Sequence, residues 1–213
     1  MATKLGIFNE ALSDLGNRSV VDTGEASTAG RTLVERWPQV VADCLAEASW
    51  NFAMEDIKAV ADTGVTPEFG YKKVFAKPSD WVNTVSVSED EYYSIPLINY
   101  VDDDVYWSSD NSPIYIRYVS DDTGKGMDLA RWTPLFRRYV ELELAVRCSP
   151  RLTQSKTLKA DLKEERDTAR KNARAKDAMN EAQPKFAPPG RWTTSRGGRF
   201  SRGEGGNRNR LIG

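Results

Sequence analysis

The sequence predicts an α+β fold, an antiparallel helical bundle made by the N- and C-terminal helices, with an inserted small antiparallel β-sheet subdomain and a flexible C-terminal tail. Three observations predict it. Apolar residues recur at helical spacing towards both ends of the 213-residue chain, β-branched and aromatic residues gather in short runs in its middle, and the end is rich in Pro, Gly and Arg. The boundaries that follow are 1–55 for the first helices, 56–122 for the β subdomain, 123–183 for the returning helices and 184–213 for the tail.

In the first helix, Leu5, Phe8, Leu12 and Leu15 share one face, and Gly16 is its stop. A second helix starts at Ser27 or Thr28 and runs towards Trp50, with Ala29, Leu33, Trp37, Val40, Val41 and Leu45 as its apolar stripe. Pro38 lies inside it and predicts a kink or a break near Arg36 and Trp37.

Strands are predicted over 81–87, over 99–101 leading into 105–107, and over 114–119. Asp102, Asp103 and Asp104 supply one turn, and the segment 108–113 supplies another. Links this short fit antiparallel pairing rather than helical crossovers.

Helix resumes after Gly124, with Thr133 as cap and Pro134 in the first turn, a stripe of Leu135, Tyr139, Leu142 and Val146, and an end at Ser149 and Pro150. The last helix, from about 155 to 181, is highly charged. Its stripe of Leu158, Leu162, Ala169 and Ala173 is thin, which suits a helix shared with neighbouring chains, and Lys163, Asp167 and Lys171 stand one turn apart.

Net charge is −1, but it is unevenly spread. From residue 184 on there are seven cations and one acid, so the tail carries +6 and the rest of the chain −7. An acidic body with a cationic end fits a tail that reaches an acidic surface. Within it, Trp192 has nothing apolar nearby in sequence and reads as a docking anchor.

The chemistry-bearing residues argue against an enzyme. Histidine is absent, which removes imidazole bases and the commonest metal ligand. The two cysteines, Cys44 and Cys148, lie in helical patterns and read as buried, reduced thiols. Three contiguous acids at 102–104 lack the spacing of a calcium loop, and Gly124-Lys125-Gly126 lacks the phosphate-loop pattern. Glu141 with Glu143, and Glu164 with Glu165, read as surface charge. No metal or other cofactor is called for. Neither a signal-peptide core nor an apolar run near the ~20 residues of a membrane span is present, so no membrane role is expected.

Four segments, in order, resemble the head-to-tail adaptor (connector) proteins of tailed bacteriophages, the tail tubular protein A-like family. They are Phe8-Asn9-Glu10-Ala11-Leu12-Ser13-Asp14-Leu15-Gly16, then Ala48-Ser49-Trp50-Asn51-Phe52-Ala53, then Tyr71 through Pro78-Ser79-Asp80-Trp81-Val82, and finally the run 114–119 with Trp132-Thr133-Pro134-Leu135-Phe136. The resemblance spans about 8–183 and implies a ring of subunits, twelve copies, between the portal protein and the tail nozzle or tail tube protein of a virion assembled in the host cytoplasm. DNA would pass through the ring without specific binding.

On that reading Arg191, Trp192, Arg196, Arg199, Phe200 and Arg202 dock on the portal or a neighbouring subunit. Asp102, Asp103, Asp104, Asp121 and Asp122 are candidate channel-facing acids, placed to repel phosphates. The alternative is a nucleic-acid-binding protein with an Arg-Gly-rich tail.

Overall fold

The first element of the computed structural model, which describes residues 3–180 except 66, 68 and 69, is helix α1 (Lys4–Asp14). Thr3 Oγ1 caps it by accepting the Gly6 N–H at 3.1 Å. Gly16 ends it at φ +67°, where glycine escapes the Cβ penalty. Asn9 then pins the returning chain, since its side chain both donates to the Val20 carbonyl and accepts from the Val20 N–H.

Helix α2 (Thr28–Ala46) is capped by Ser27 and runs through Pro38 as one helix, so of the kink or break expected there the break does not occur. Pro38 withholds a donor from the Val34 carbonyl, but both residues are exposed, so the loss falls on the solvent side. The helix ends four residues before Trp50, whose indole N–H donates to the Cys44 carbonyl at 2.8 Å.

After a 3₁₀ turn at Asn51–Ala53 come strands β1 (Met54–Ala59), β2 (Lys73–Ala76), β3 (Trp81–Ser88), β4 (Val101–Asp102), β5 (Tyr106–Ser109) and β6 (Ile114–Ser120). Strands β1 and β2 had no counterpart among the predicted strands, and Ser108 and Ser109 belong to β5 rather than to a turn. Helices α3 (Pro134–Leu152) and α4 (Lys156–Asn180) follow. Thr133 caps α3 as predicted, accepting the Phe136 N–H at 3.3 Å. The expected stop at Pro150 is not observed, because the Val146 carbonyl that proline leaves without a backbone donor accepts the Ser149 hydroxyl at 3.3 Å.

Among the described residues these elements form four helices and two three-stranded antiparallel sheets, ordered β1-β6-β3 and β2-β5-β4. The α+β composition matches the prediction, but a helical bundle carrying one inserted sheet does not. Val119 of β6, with Val82 and Val85 of β3, packs into the same core as the helices, so the first sheet completes that core instead of standing apart from it. Its other face meets the second sheet around Ala59, Phe75, Val87, Leu97, Trp107, Ile114 and Ile116.

Strand β3 serves both cores because its pairing with β6 shifts register between Trp81 and Asn83 and again between Thr84 and Ser86. Each irregularity reverses which side of the strand faces which layer. Trp81 and Val87 therefore pack in the second cluster and Thr84 bonds to Trp107 there, while Val82 and Val85 pack with the helices.

The helical core centres on α3, whose Phe136 ring lies 4.7 Å from Trp50, 4.8 Å from Phe52 and 5.0 Å from Trp132, centroid to centroid. Burying a side chain of this size contributes roughly 1.5–3 kcal/mol. Helices α1, α2 and α4 all pack on α3, and so Glu141 and Glu143 are buried rather than on the surface as expected. Leu135 of the predicted stripe is exposed instead, with Phe136 and Val140 taking the inward positions.

Glu143 is satisfied by Arg147 and by Arg166 of α4, each at 2.6 Å. Asp167 pairs with Arg166 and Arg170, not with the lysines suggested by spacing. Both cysteines are free and buried, and burial raises both thiol pKa values, that of Cys148 to about 11. Residues up to Asn180 make one compact unit, within which no described helix is long and apolar enough to cross a membrane. The segment 184–213 lies outside the described residues.

Candidate interaction surface

The second sheet is held to β3 by Lys77, which arrives one turn before that strand. Its ammonium lies 2.5 Å from Asp102 Oδ1 on β4, 3.4 Å from the Trp81 ring centroid and 5.3 Å from that of Trp107. A buried ammonium needs an anion and ring faces to replace water, and this arrangement supplies both. The Trp81 and Trp107 indole N–H groups converge on Thr84 Oγ1 at 3.0 and 2.9 Å.

The loop that joins β3 to β4 is folded around one carboxylate. Asp90 accepts the Ser88 hydroxyl at 2.8 Å, the Ile95 N–H at 2.9 Å and the Ser94 N–H at 3.2 Å. These donors, led by the Ile95 amide, hold its pKa down at about 2. The single Ser88 hydroxyl proton is shared between Asp90 and the Ile95 carbonyl, also 2.8 Å away, and the Leu97 N–H donates to the Val87 carbonyl, so the loop continues the β3 hairpin for several residues.

Tyr93 folds back from that loop over the first sheet at φ +55°. Its hydroxyl donates to Asp56 Oδ1 at 3.1 Å, and the Arg117 guanidinium sits 4.7 Å from its ring while gripping Asp56 at 2.7 and 3.0 Å. Bonding to Arg117 lowers the Asp56 pKa, and burial followed by the Asp56 charge raises that of Tyr93.

What this framework displays is apolar. Tyr92 is 79% exposed and Ile98 is 84% exposed, with Ile95, Val101 and Val105 also turned out. Six carboxylates and no cation occur between Glu89 and Val105. A loop this fully bonded keeps its shape, so its outward side chains form a surface prepared for contact rather than a collapsed cluster.

The sequence-predicted acids divide among different tasks. Asp102 neutralises Lys77, the Asp103 N–H bonds to the Tyr106 carbonyl to close the β4–β5 turn, and Asp104 is exposed beside them. Asp122 accepts the Gly124 N–H at 2.7 Å to shape the turn after β6. Asp121 donates its N–H to the Asp80 carbonyl, and burial together with the Asp80 charge raises its carboxyl pKa. Arg191, Trp192, Arg196, Arg199, Phe200 and Arg202 lie outside the described residues.

Sequence reading missed Tyr92, Ile95, Ile98, Val101 and Val105. The signal available was a seventeen-residue stretch from Glu89 to Val105 that mixes apolar residues with acids and has no cation.

A second feature is a cavity of about 570 Å³ between α1 and α3, lined in part by Glu10, Asp14, Arg137, Arg138 and Glu141. Arg138 clamps Asp14 at 2.8 and 3.1 Å and reaches Glu165 at 2.8 Å. Burial raises Glu141 to a pKa of about 7, opposed by Arg138 and Arg137 and reinforced by Glu10 and Asp14. Its charges largely offset one another. Among the described residues no group of three or more acids and cysteines is placed to hold a metal ion.

No family model matches the chain, and no curated protein matches it.

Proposed function

We propose that the chain is a structural head-to-tail adaptor of a tailed phage, assembling into a ring, twelve copies in the resembling family, that joins the portal to the tail and surrounds the DNA exit channel. The observation that carries this reading is the rigidly built surface from Glu91 to Val105, where Tyr92, Ile95, Ile98, Val101 and Val105 face solvent in the single copy. Apolar display on a bonded framework is a feature of subunits that finish burying their surface in an assembly. The ordered resemblance of four segments supplies the kind of assembly.

Electron microscopy of the purified chain mixed with portal rings tests the reading. Rings of the chain seated on portals are expected; copies that stay monomeric and leave the portals bare would overturn it. The nucleic-acid alternative predicts instead strong, salt-sensitive binding of RNA or single-stranded DNA by the full chain.

A further inference from the structure

Resting on the reading that copies of the chain assemble, we propose that the loop and edge strand spanning residues 91–105 are the docking surface for the C-terminal segment 184–213 of a second copy. Charge complementarity selects this occupant. The surface carries exposed Glu91, Asp103 and Asp104 among its apolar side chains, and no cation occurs from Glu89 to Val105. The segment 184–213 carries seven cations and one acid, interspersed with Trp192 and Phe200. Opposite charge draws the two together, and the aromatic rings then have Tyr92, Ile95 and Ile98 to pack on.

The framework explains why this surface rather than any acidic stretch should be the receptor. Asp90 and Asp102 are engaged inside it, with the loop amides and with Lys77, so they fix its shape. Glu91, Asp103 and Asp104 remain exposed at its outside. A preformed surface leaves only the incoming segment to be ordered on binding.

Chain length allows the contact to be made between copies. Thirty residues reach on the order of 100 Å when extended. A folded unit of about 180 residues has a radius of gyration near ~16 Å. Running from each copy to the next, such a contact is heterologous, the kind that forms a ring where the rotation between copies closes. It also gives Asp103 and Asp104 a protein partner in place of a channel-facing role.

The test uses the full chain with Trp192→p-benzoylphenylalanine, photo-crosslinked in an equal mixture of unlabelled and ¹⁵N-labelled protein and mapped by mass spectrometry. Crosslinks to residues 91–105 with about half of the pairs carrying mixed isotopes are expected. Adding Glu91→Lys, Asp103→Lys and Asp104→Lys should lower their yield at least tenfold, as should Tyr92→Ser with Ile98→Ser, with the melting temperature held as the control for folding. Crosslinks confined to other residues or to nucleic acid, or only same-isotope pairs, would overturn the proposal. Electron microscopy separates the two failures: rings whose crosslinks map elsewhere sink this inference alone, and the absence of rings on portals sinks the adaptor reading as well.

Discussion

Lys77 and Asp102 form a 2.5 Å salt bridge between the segment preceding β3 and the edge strand β4, and the lysine side chain is only 4% exposed. Asp102→Asn keeps the shape but leaves the ammonium with the Trp81 and Trp107 faces and a neutral amide. Because Asp102 itself is one-third exposed, the expected loss is about 1–3 kcal/mol rather than the larger cost of a fully buried broken pair. Chemical denaturation of the two proteins checks it, and a loss below about 0.5 kcal/mol would mean that the rings alone hold the charge.

Glu143 ties α3 to α4 through Arg166 and positions Arg147, which also reaches Asp43 of α2 at 2.6 Å. Removing the carboxylate in Glu143→Ala leaves two guanidiniums without their shared anion in a covered position. A destabilisation of about 2–4 kcal/mol is expected in equilibrium unfolding. Glu164→Ala, at an exposed position of α4, should stay within about 0.5 kcal/mol of the parent.

Glu141 gives a pH dependence with a definite sign. Its folded pKa is raised from 4.5 to about 7, so the folded protein holds a proton that the unfolded chain releases. Stability from this group is intact below pH 4.5, falls as pH rises towards 7, and levels off above. Glu141→Gln should flatten that fall, making the variant more stable than the parent at pH 8 relative to pH 4.5 by about 1–3 kcal/mol. Denaturation midpoints across that range decide the matter, and equal slopes for the two proteins would rule out Glu141 as the titrating group.

Gly126 lies in the turn after β6 because its backbone crosses the Ser120 carbonyl. A Cβ there would stand 2.1 Å from that oxygen and 3.2 Å from Leu45. The Gly126 carbonyl also accepts the Trp132 indole N–H at 2.8 Å, so backing away would break a buried bond. Gly126→Ala is expected to cost about 2–4 kcal/mol. Gly124→Ala in the same turn would meet only the side-chain oxygen of Asp122, at 3.2 Å, and should cost less than half as much by the same thermal or chemical unfolding measurement.

The local half of this architecture was legible in the residues. Ser27, at the expected start of α2, and Thr133 cap helices because a hydroxyl one step before a helix can take an amide three residues on, and Gly16 stops α1 because its φ of +67° suits a residue without Cβ, whereas the Thr3 cap of α1 was not read from the sequence. The two prolines inside helices end neither α2 nor α3, for a related reason. A proline's local effect is to delete one bond, but whether the helix ends depends on what then meets the carbonyl four residues back. At Val34 that carbonyl lies on an exposed part of α2, and at Val146 it meets the Ser149 hydroxyl.

The candidate surface was half legible. Its acids and turn residues were visible at 102–104, but the pattern could not distinguish Tyr92 from Tyr93 or Ile98 from Leu97. In each pair one side chain is exposed and the other is drawn in, Tyr93 by Asp56 and Arg117, and Leu97 by the cluster around Trp107. Partners 37 and 24 residues away in sequence leave no trace in a short window for Tyr93, and the bonds around Asp90 set which side of the loop faces out.

By itself the sequence determined where helices begin, where strands concentrate, that the chain has no imidazole to work with, and that acidic and cationic residues are segregated along it. Those properties depend on a residue and its near neighbours. Only the tertiary structure decided that the strands form two sheets, that two register shifts let β3 serve both cores, that Glu141 and Glu143 are covered, and that Tyr92, Ile95 and Ile98 are left exposed. Each depends on what packs across from the residue, and that is settled when α1, α2 and α4 close on α3 and the second sheet closes on the first.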